Sequence, residues 1–517
     1  MKANLMYRDR DFDLKSPLPW GAEALTQDLG LTTIFAAMGG EDKFLREVAE
    51  KGVLASLFEV QDIAYRQDIM RDCFRNPDTV RKIYDFAFDT LENERKNFWR
   101  WGSFPSSVLS GAVSVLNMFV ERLKILRQIA SDERGNFRSE GFGNLFSMLL
   151  RELDDDYFAE ITAHLKQLKF SKGVRLSAEL GPGNMGINYL LRRDDKPLSW
   201  KEWIFGPKPE AYSFTLHPRD ENGARALTEM EDRGINLVAN ALAQSTDHIS
   251  NFFKMLRTEL AFYIGCINLR DALQQNGESF AFPVLSGKNE RKFSCTGLYD
   301  ACLSLNLNKE VVGNDIDADG DSLIIVTGAN QGGKSTFLRS VGLAQVMTQC
   351  GMFVPASALS LNICDGIFTH FKREEDTAMA SGKFDEELKR MSELVERLKP
   401  NTFVLFNESF AATNELEGSE IAGQITTALI EKDIKVCFVT HLHEFAEALY
   451  ERKMDAALFL RAERLEDGSR TFKLRPGKPL STSFGVDLYN RIFEKNLKQP
   501  SSDRGSGSSR TSVPELH

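Results

Sequence analysis

Residues 323–336 read LIIVTGANQGGKST, and this run limits the fold more than any other part of the chain. The apolar stretch Leu323 to Thr327 predicts a strand that runs straight into a glycine-rich turn. FLRSVGLAQVM comes next, with Phe337, Val341, Ala344 and Met347 at helical spacing. Gly328, Gly333, Lys334 and Ser335 fit G-x-x-x-x-G-K-[ST], and strand, turn and helix are the context that pattern needs to bind phosphate. The glycines let backbone N–H groups converge on phosphate oxygens at a helix N-terminus. Gly328, Ala329, Asn330, Gln331, Gly332, Gly333, Lys334, Ser335 and Thr336 are therefore the candidate nucleotide-binding residues. Lys334 is expected at the β/γ phosphates and the Ser335 hydroxyl on Mg²⁺.

Two further strand ends fit the same chemistry. Phe403, Val404, Leu405 and Phe406 lead into Asn407 and Glu408. An acidic pair at the end of a buried strand is the second mark of ATP-hydrolysing sites of this kind. Its first position holds Mg²⁺ and its second polarises the attacking water. Here Asn407 is the candidate metal residue and Glu408 the candidate catalytic one. Asn407 accepts hydrogen bonds but carries no charge, so weaker metal binding and slower turnover are expected. The stretch IKVCFVTHLHEF predicts a strand over 434–440 that ends in His441. Ligands bind at the carboxyl ends of strands in open α/β sheets, so His441 is expected near the γ-phosphate or the water. His443 is expected at the surface. Ser381 and Gly382 precede an amphipathic helix, where a hydroxyl and unpaired N–H groups suit an anion or a simple cap.

A chain of 517 residues implies two to four domains. The net charge of −10 argues against a surface coated for nucleic acid, though not against one basic patch. Seven scattered cysteines without a C-x-x-C pair, and a polar start MKANLMYRDRDFDLK, point to a reducing cytosol. No run of about 18 apolar residues predicts a membrane span.

Residues 1–20 read as an irregular lead-in, and 21–170 as long packed helices. Phe44, Leu45, Val48, Val53, Leu54, Leu57 and Val60 carry the three- and four-residue spacing. The pattern alternates instead over 171–216: Val174, Leu176, Ala178 and Leu180, then Ile187, Tyr189 and Leu191. The intervening GPGNMG matches the dinucleotide fingerprint formally, but the residues after it alternate with period two, so a β-hairpin is expected. AYSFTL, residues 211–216, is expected to add a third strand. Helical pattern returns over 221–273, and an α/β pattern from about 280. Residues 491–517, rich in Ser and Gly, read as a disordered tail. Asp315, Asp317, Asp319 and Gly320 imitate the start of a calcium loop. Its twelfth position is Val326, where a Glu is needed, so an acidic turn is expected.

The segment GANQGGKSTFLRSVGLAQVMTQCGMFVPA resembles the ATPase core of the MutS family, the DNA mismatch-repair ATPases of the ABC type. The resemblance continues through DGIFTHF, ASGKFDEELKRM, VLFNESFAATNELEGSEIA and VTHLHEF, across about 180 residues, and reaches VVGNDI upstream and FKLRPGKPLSTSFGV downstream. FEVQDIAYRQDIM is similar, more weakly, to the start of the family's lever region. It implies an α/β P-loop (ABC-type) ATPase domain over 281–490. A mostly α-helical lever/core domain over 1–280 would precede it, with the β-rich clamp-like insert inside. It implies ATP and Mg²⁺ as ligands, duplex DNA, distorted or branched, as partner, and a cytoplasmic homodimer with composite ATP sites. Ser381 and Gly382 match the loop that reaches the partner's γ-phosphate, Glu408 the catalytic glutamate, and His441 the histidine after the last strand. Thr413 and Asn414 fall in the loop that couples the two sites. Asn407 stands where the family has Asp, and SFAATNE replaces a glycine- and threonine-rich loop. With no candidate for the mismatch-reading wedge, a shortened relative that reads DNA shape is expected. The alternative is a nucleotide-gated scaffold with little hydrolysis, because of Asn407.

Basic residues Lys166, Lys169, Lys172, Arg175, Arg192, Arg193, Lys196, Lys201 and Lys208, with Tyr189, Trp200 and Trp203 and against Glu179, Asp194, Asp195 and Glu202, make the insert and its flanks either a DNA contact or a solvated hairpin surface. The cluster Arg95, Lys96, Trp99, Arg100 and Trp101 reads as helix packing with charged edges.

Overall fold

The computed structural model describes residues 1–98, 104–170, 173–192, 212–373, 382–465 and 469–479. Ser381, Trp99, Arg100, Trp101, Lys172, Arg193, Lys196, Trp200, Lys201, Trp203, Lys208 and the 491–517 tail lie outside these residues. The chain divides into two compact units.

The first unit comprises Met1–Pro19, Phe35–Ala272 and Cys350–Met352, and is mostly helical. Its helices begin where the sequence supplies caps. Asp42 accepts from Phe44 N (2.8 Å) ahead of Lys43–Leu54, and Asp154 from Tyr157 N (2.8 Å) ahead of Asp155–Gln167. Pro77 and Pro105 open Pro77–Phe98 and Pro105–Glu133, where a missing N–H costs nothing. The longest helix, Glu221–Gln275, has 55 residues and a length of about 80 Å. Its C-terminal half is the core of the unit, with Phe253, Leu256, Leu260, Phe262, Tyr263 and Ile267 buried.

The irregular lead-in is tied down by buried polar groups. Glu259 accepts from the N–H groups of Leu5 (2.5 Å), Met6 (3.4 Å) and Phe12 (3.3 Å). Arg66, fully buried, donates twice to Met6 O and once to Cys350 O. These bonds satisfy backbone groups that irregular chain would otherwise leave unpaired in a core.

Strands β1 (Leu176–Leu180) and β2 (Gly186–Leu191) pair antiparallel around Pro182–Asn184, where Gly183 and Asn184 have positive φ. The glycine-rich run is thus a hairpin turn. The third strand expected over 211–216 is a correction: Tyr212 to Leu216 form no strand. Tyr212 and Phe214 are 92% and 81% exposed, so the alternation has no buried face to hold it in a ladder.

The second unit comprises Trp20–Ile34, Leu273–Gln349 and Phe353–His517. Its four-stranded sheet has the order β3 (Val284–Ser286), β7 (Ala358–Asn362), β4 (Phe293–Leu298), β5 (Asn314–Asp317). Its six-stranded sheet joins β8 (Gly366–Phe371), β9 (Thr402–Asn407), β10 (Lys435–Val439), β6 (Leu323–Thr327), β11 (Ala457–Arg464) and β12 (Arg470–Pro476) side by side in that order. Every pair in it is parallel except β11–β12. The central strands β6, β9 and β10 are buried almost throughout, the pattern of a parallel sheet covered on both faces. Helices Lys383–Val395, Glu415–Glu431 and His443–Glu451 pack on one face around Phe406, Phe410, Phe438 and Phe445, while Lys334–Gln349 is itself nearly all buried.

All seven cysteines are buried free thiols. The acidic run before β6 spends its carboxylates on β4 and its flank: Asp315 accepts from Gly297 N, and Asp319 from Phe293 N and the Lys292 ammonium. Among the described residues no helix is long and apolar enough to cross a membrane.

Candidate functional site

Parallel strands leave their loops at one edge, so the turns after β6, β9 and β10 emerge side by side. The turn after β6 is Gly328 to Gly333, and it opens into Lys334–Gln349. Gly328 (φ +111°), Gln331 (φ +59°) and Gly333 (φ +91°) take left-handed backbone. A Cβ on Gly328 would stand 2.9 Å from Ala462 N, and one on Gly332 2.7 Å from Ala462 Cβ, so β11 presses directly on the loop. Ala329 is buried, whereas Asn330, Gln331 and Ser335 are exposed. Thr336 is half-buried in the first turn of the helix, where N–H groups have no intrahelical acceptor.

Lys334 folds back over this loop. Its Nζ donates to Gly328 O (2.9 Å) and Ala329 O (3.1 Å), and the residue is 5% exposed. Burial pulls its pKa down to about 8, against the opposing pull of the Glu408 charge. The ammonium is therefore easier to neutralise than an exposed lysine, and a neighbouring polyanion would favour its charged form.

Ser335 Oγ donates to Asn407 Oδ1 at 3.0 Å, which brings the two candidate metal residues together across β6 and β9. Both present hard oxygen atoms, the donor type Mg²⁺ selects. Glu408 comes next with φ +54°, its N–H bonded to Val439 O (2.9 Å). His441 Nε2 donates to Glu408 Oε1 at 2.8 Å. That hydrogen bond, more than any other influence, holds the Glu408 carboxyl below its ordinary range. Glu408 is thus an oriented carboxylate, ionised at neutral pH and within reach of the Lys334 charge.

Lys334, Ser335, Asn407, Glu408 and His441 thus form one group. Gly382 engages its own helix instead, capping Lys383–Val395 and accepting from Glu386 N (3.1 Å). Thr413 donates to Glu417 Oε2 (2.7 Å), and Asn414 caps Glu415–Glu431. His443, expected at the surface, is half-buried with Nε2 2.9 Å from Glu447 Oε2, because it opens a helix packed on the sheet. No sequence pattern singles out Arg470, whose Nη1 donates to Gln331 Oε1 (3.3 Å) from β12. Nor do the motifs pick out His370, Glu387 and Ser409, a buried polar group behind Glu408. The strand-end histidine in DGIFTHF is the available signal for His370.

A strand–loop–helix thus brings a buried lysine, a Ser–Asn oxygen pair and an oriented glutamate to one edge of the sheet. Known family domains match a region in each unit. Residues 59–276 match the MutS2 N-terminal domain and residues 324–493 match MutS domain V. The DNA mismatch repair protein MutS of Lactobacillus delbrueckii subsp. bulgaricus is 29% identical over 283 residues, 52% of this chain and 33% of that protein. That of Prochlorococcus marinus is 25% identical over 338 residues, 61% and 35%. That of Thermus aquaticus is 33% identical over 181 residues, 35% and 22%. The chain belongs to the MutS family. The matches span at most 35% of these relatives' length.

Proposed function

We propose that this chain binds and hydrolyses ATP with Mg²⁺ and couples that cycle to DNA, as a homodimer of the mismatch-repair type. The observation that carries the reading is the Glu408–His441 pair beside Lys334 and Ser335 at the carboxyl edge of one sheet. The loop N–H groups and Lys334 hold the β/γ phosphates. Ser335 and Asn407 hold Mg²⁺, which when bound neutralises charge on the phosphates. Glu408 orients a water and takes its proton as the water oxygen bonds to the γ-phosphorus. The bond from γ-phosphorus to the β–γ bridging oxygen breaks, releasing ADP and phosphate. His441 keeps the carboxylate aimed and ionised.

Ser381 and Gly382 complete the partner's site in a closed dimer, and closure clamps distorted or branched duplex. Exposed Arg175 and Arg192 at the base of the hairpin, and Lys166 on the helix before it in sequence, support backbone contact with DNA. The test is the ATPase rate of purified protein with no DNA and with homoduplex, mismatched or branched duplex. Stimulation greatest with branched or distorted duplex is expected. A rate that ignores all DNA contradicts the coupling, and ATP binding without hydrolysis moves the function to a nucleotide-gated scaffold.

A further inference from the structure

Two residues in left-handed backbone flank Ser409: Glu408 at φ +54° and Phe410 at φ +63°. Neither is glycine, and each such position costs roughly 1 kcal/mol or more, so it persists only where its surroundings impose it. The surroundings here are specific. Ser409 Oγ lies 2.5 Å from His370 O and 2.9 Å from His370 Nδ1. His370 Nε2 lies 3.2 Å from Glu387 O, which can only accept, so the neutral ring carries its proton on Nε2. Phe410 N–H donates to Glu387 Oε1 at 2.7 Å. The Phe410 ring stacks on His370 at 5.5 Å between centroids and 19° between planes. From the other side, Gly418 lets the Glu415–Glu431 helix lie against Phe410 O, since a Cβ there would stand 2.4 Å from that oxygen. Ser409 and Phe410 are wholly buried, His370 and Glu387 nearly so.

From this geometry we infer that Glu387, His370 and Ser409 are positioning residues that fix the backbone turn presenting Glu408, and that Glu387 ties this turn to the Lys383–Val395 helix. Glu387 stands in the second turn of that helix, which Gly382 caps. A shift of the helix moves Oε1, and with it the Phe410 N–H two residues beyond the Glu408 carboxylate. Position at the start of this helix is thereby read out as the aim of the glutamate. Among the described residues no hydrogen bond joins Lys334 to Glu387 or Ser409, so nucleotide binding and the aim of Glu408 are separable. The inference rests on the proposed ATPase activity.

The test compares equilibrium ATP binding with steady-state hydrolysis in wild type, Glu387→Ala, Glu387→Gln and Ser409→Ala. Glu387→Ala removes the acceptor for Phe410 N–H, while Glu387→Gln keeps a carbonyl oxygen in its place. ATP affinity within about twofold of wild type is expected throughout, with kcat at least tenfold lower in Glu387→Ala and largely restored in Glu387→Gln, a drop of about 1.4 kcal/mol in transition-state stabilisation. Ser409→Ala is expected to lower kcat with affinity kept, and it reads the same turn if Glu387→Ala does not fold. Wild type that hydrolyses ATP while Glu387→Ala or Ser409→Ala keeps kcat within twofold overturns the inference alone. Binding and kcat falling together, unrescued by Gln, also overturns it. Wild type that binds ATP without hydrolysing it overturns the ATPase reading and this inference with it.

Discussion

Lys334 concentrates the electrostatics of the site in one ammonium group. In the free protein it titrates near 8, well below the ordinary 10.5, because burial disfavours its charge. On the proposed function the bound triphosphate favours the charged form, so binding takes up a proton near and above that pH. ATP affinity is expected to weaken as pH rises from about 7 to 10, and Lys334→Arg, charged throughout, is expected to flatten the profile. Equilibrium ATP binding measured across pH checks this, and a flat wild-type profile contradicts it. Asn407 is the other informative residue. Its neutral amide bonds Ser335 Oγ where the family resemblance expects a carboxylate. Asn407→Asp is expected to tighten Mg²⁺ dependence severalfold, because a carboxylate adds charge beside the cation; a Mg²⁺ titration of ATP turnover reads it. Both residues are legible in sequence, since each sits at a fixed offset from an apolar run. Arg470 is not, because its approach to Gln331 depends on the pairing of β11 with β6, 134 positions apart at Ala457 and Leu323.

Elements divide by how local their causes are. Strands β6, β9 and β10 follow their apolar runs, because a strand buried on both faces is apolar at nearly every position; buried Thr327, Thr402 and Lys435 stand at the strand ends. The hairpin is legible from alternation and a glycine turn, whereas Tyr212 to Leu216 alternate without forming a strand. The four-stranded sheet is not legible in order, because β3–β7 pairs residues as far apart as Val284 and Ser360. Close helix packing makes its own prediction. A Cβ on Gly52 would stand 2.4 Å from Phe262 Cδ2, so Gly52→Ala is expected to cost about 1–3 kcal/mol by thermal or denaturant unfolding. Glu259 predicts a pH effect. Burial raises its carboxyl to about 7 from an ordinary 4.5, so the native state holds more protons than the unfolded chain between those values. Its contribution to stability is therefore greatest at and below about pH 4.5 and is lost as pH rises towards 7. His370, depressed by burial to about 4, contributes the opposite slope between about 4 and 6.5. The difference between wild type and Glu259→Gln isolates the Glu259 slope, and identical pH–stability curves contradict it.

At the scale of the whole molecule, the two units match two different domains of one family, and the candidate chemistry lies in the second. The carboxyl edge of the parallel sheet gathers residues from 334 to 441 that only folding makes neighbours. On the proposed function this edge hydrolyses ATP through Glu408. The most direct measurement is ATP binding and single-turnover hydrolysis by Glu408→Ala beside wild type in one buffer with Mg²⁺. The account predicts that both bind ATP and that hydrolysis falls by at least about 100-fold in the variant, the scale of a lost general base. Equal hydrolysis by the two proteins would contradict it.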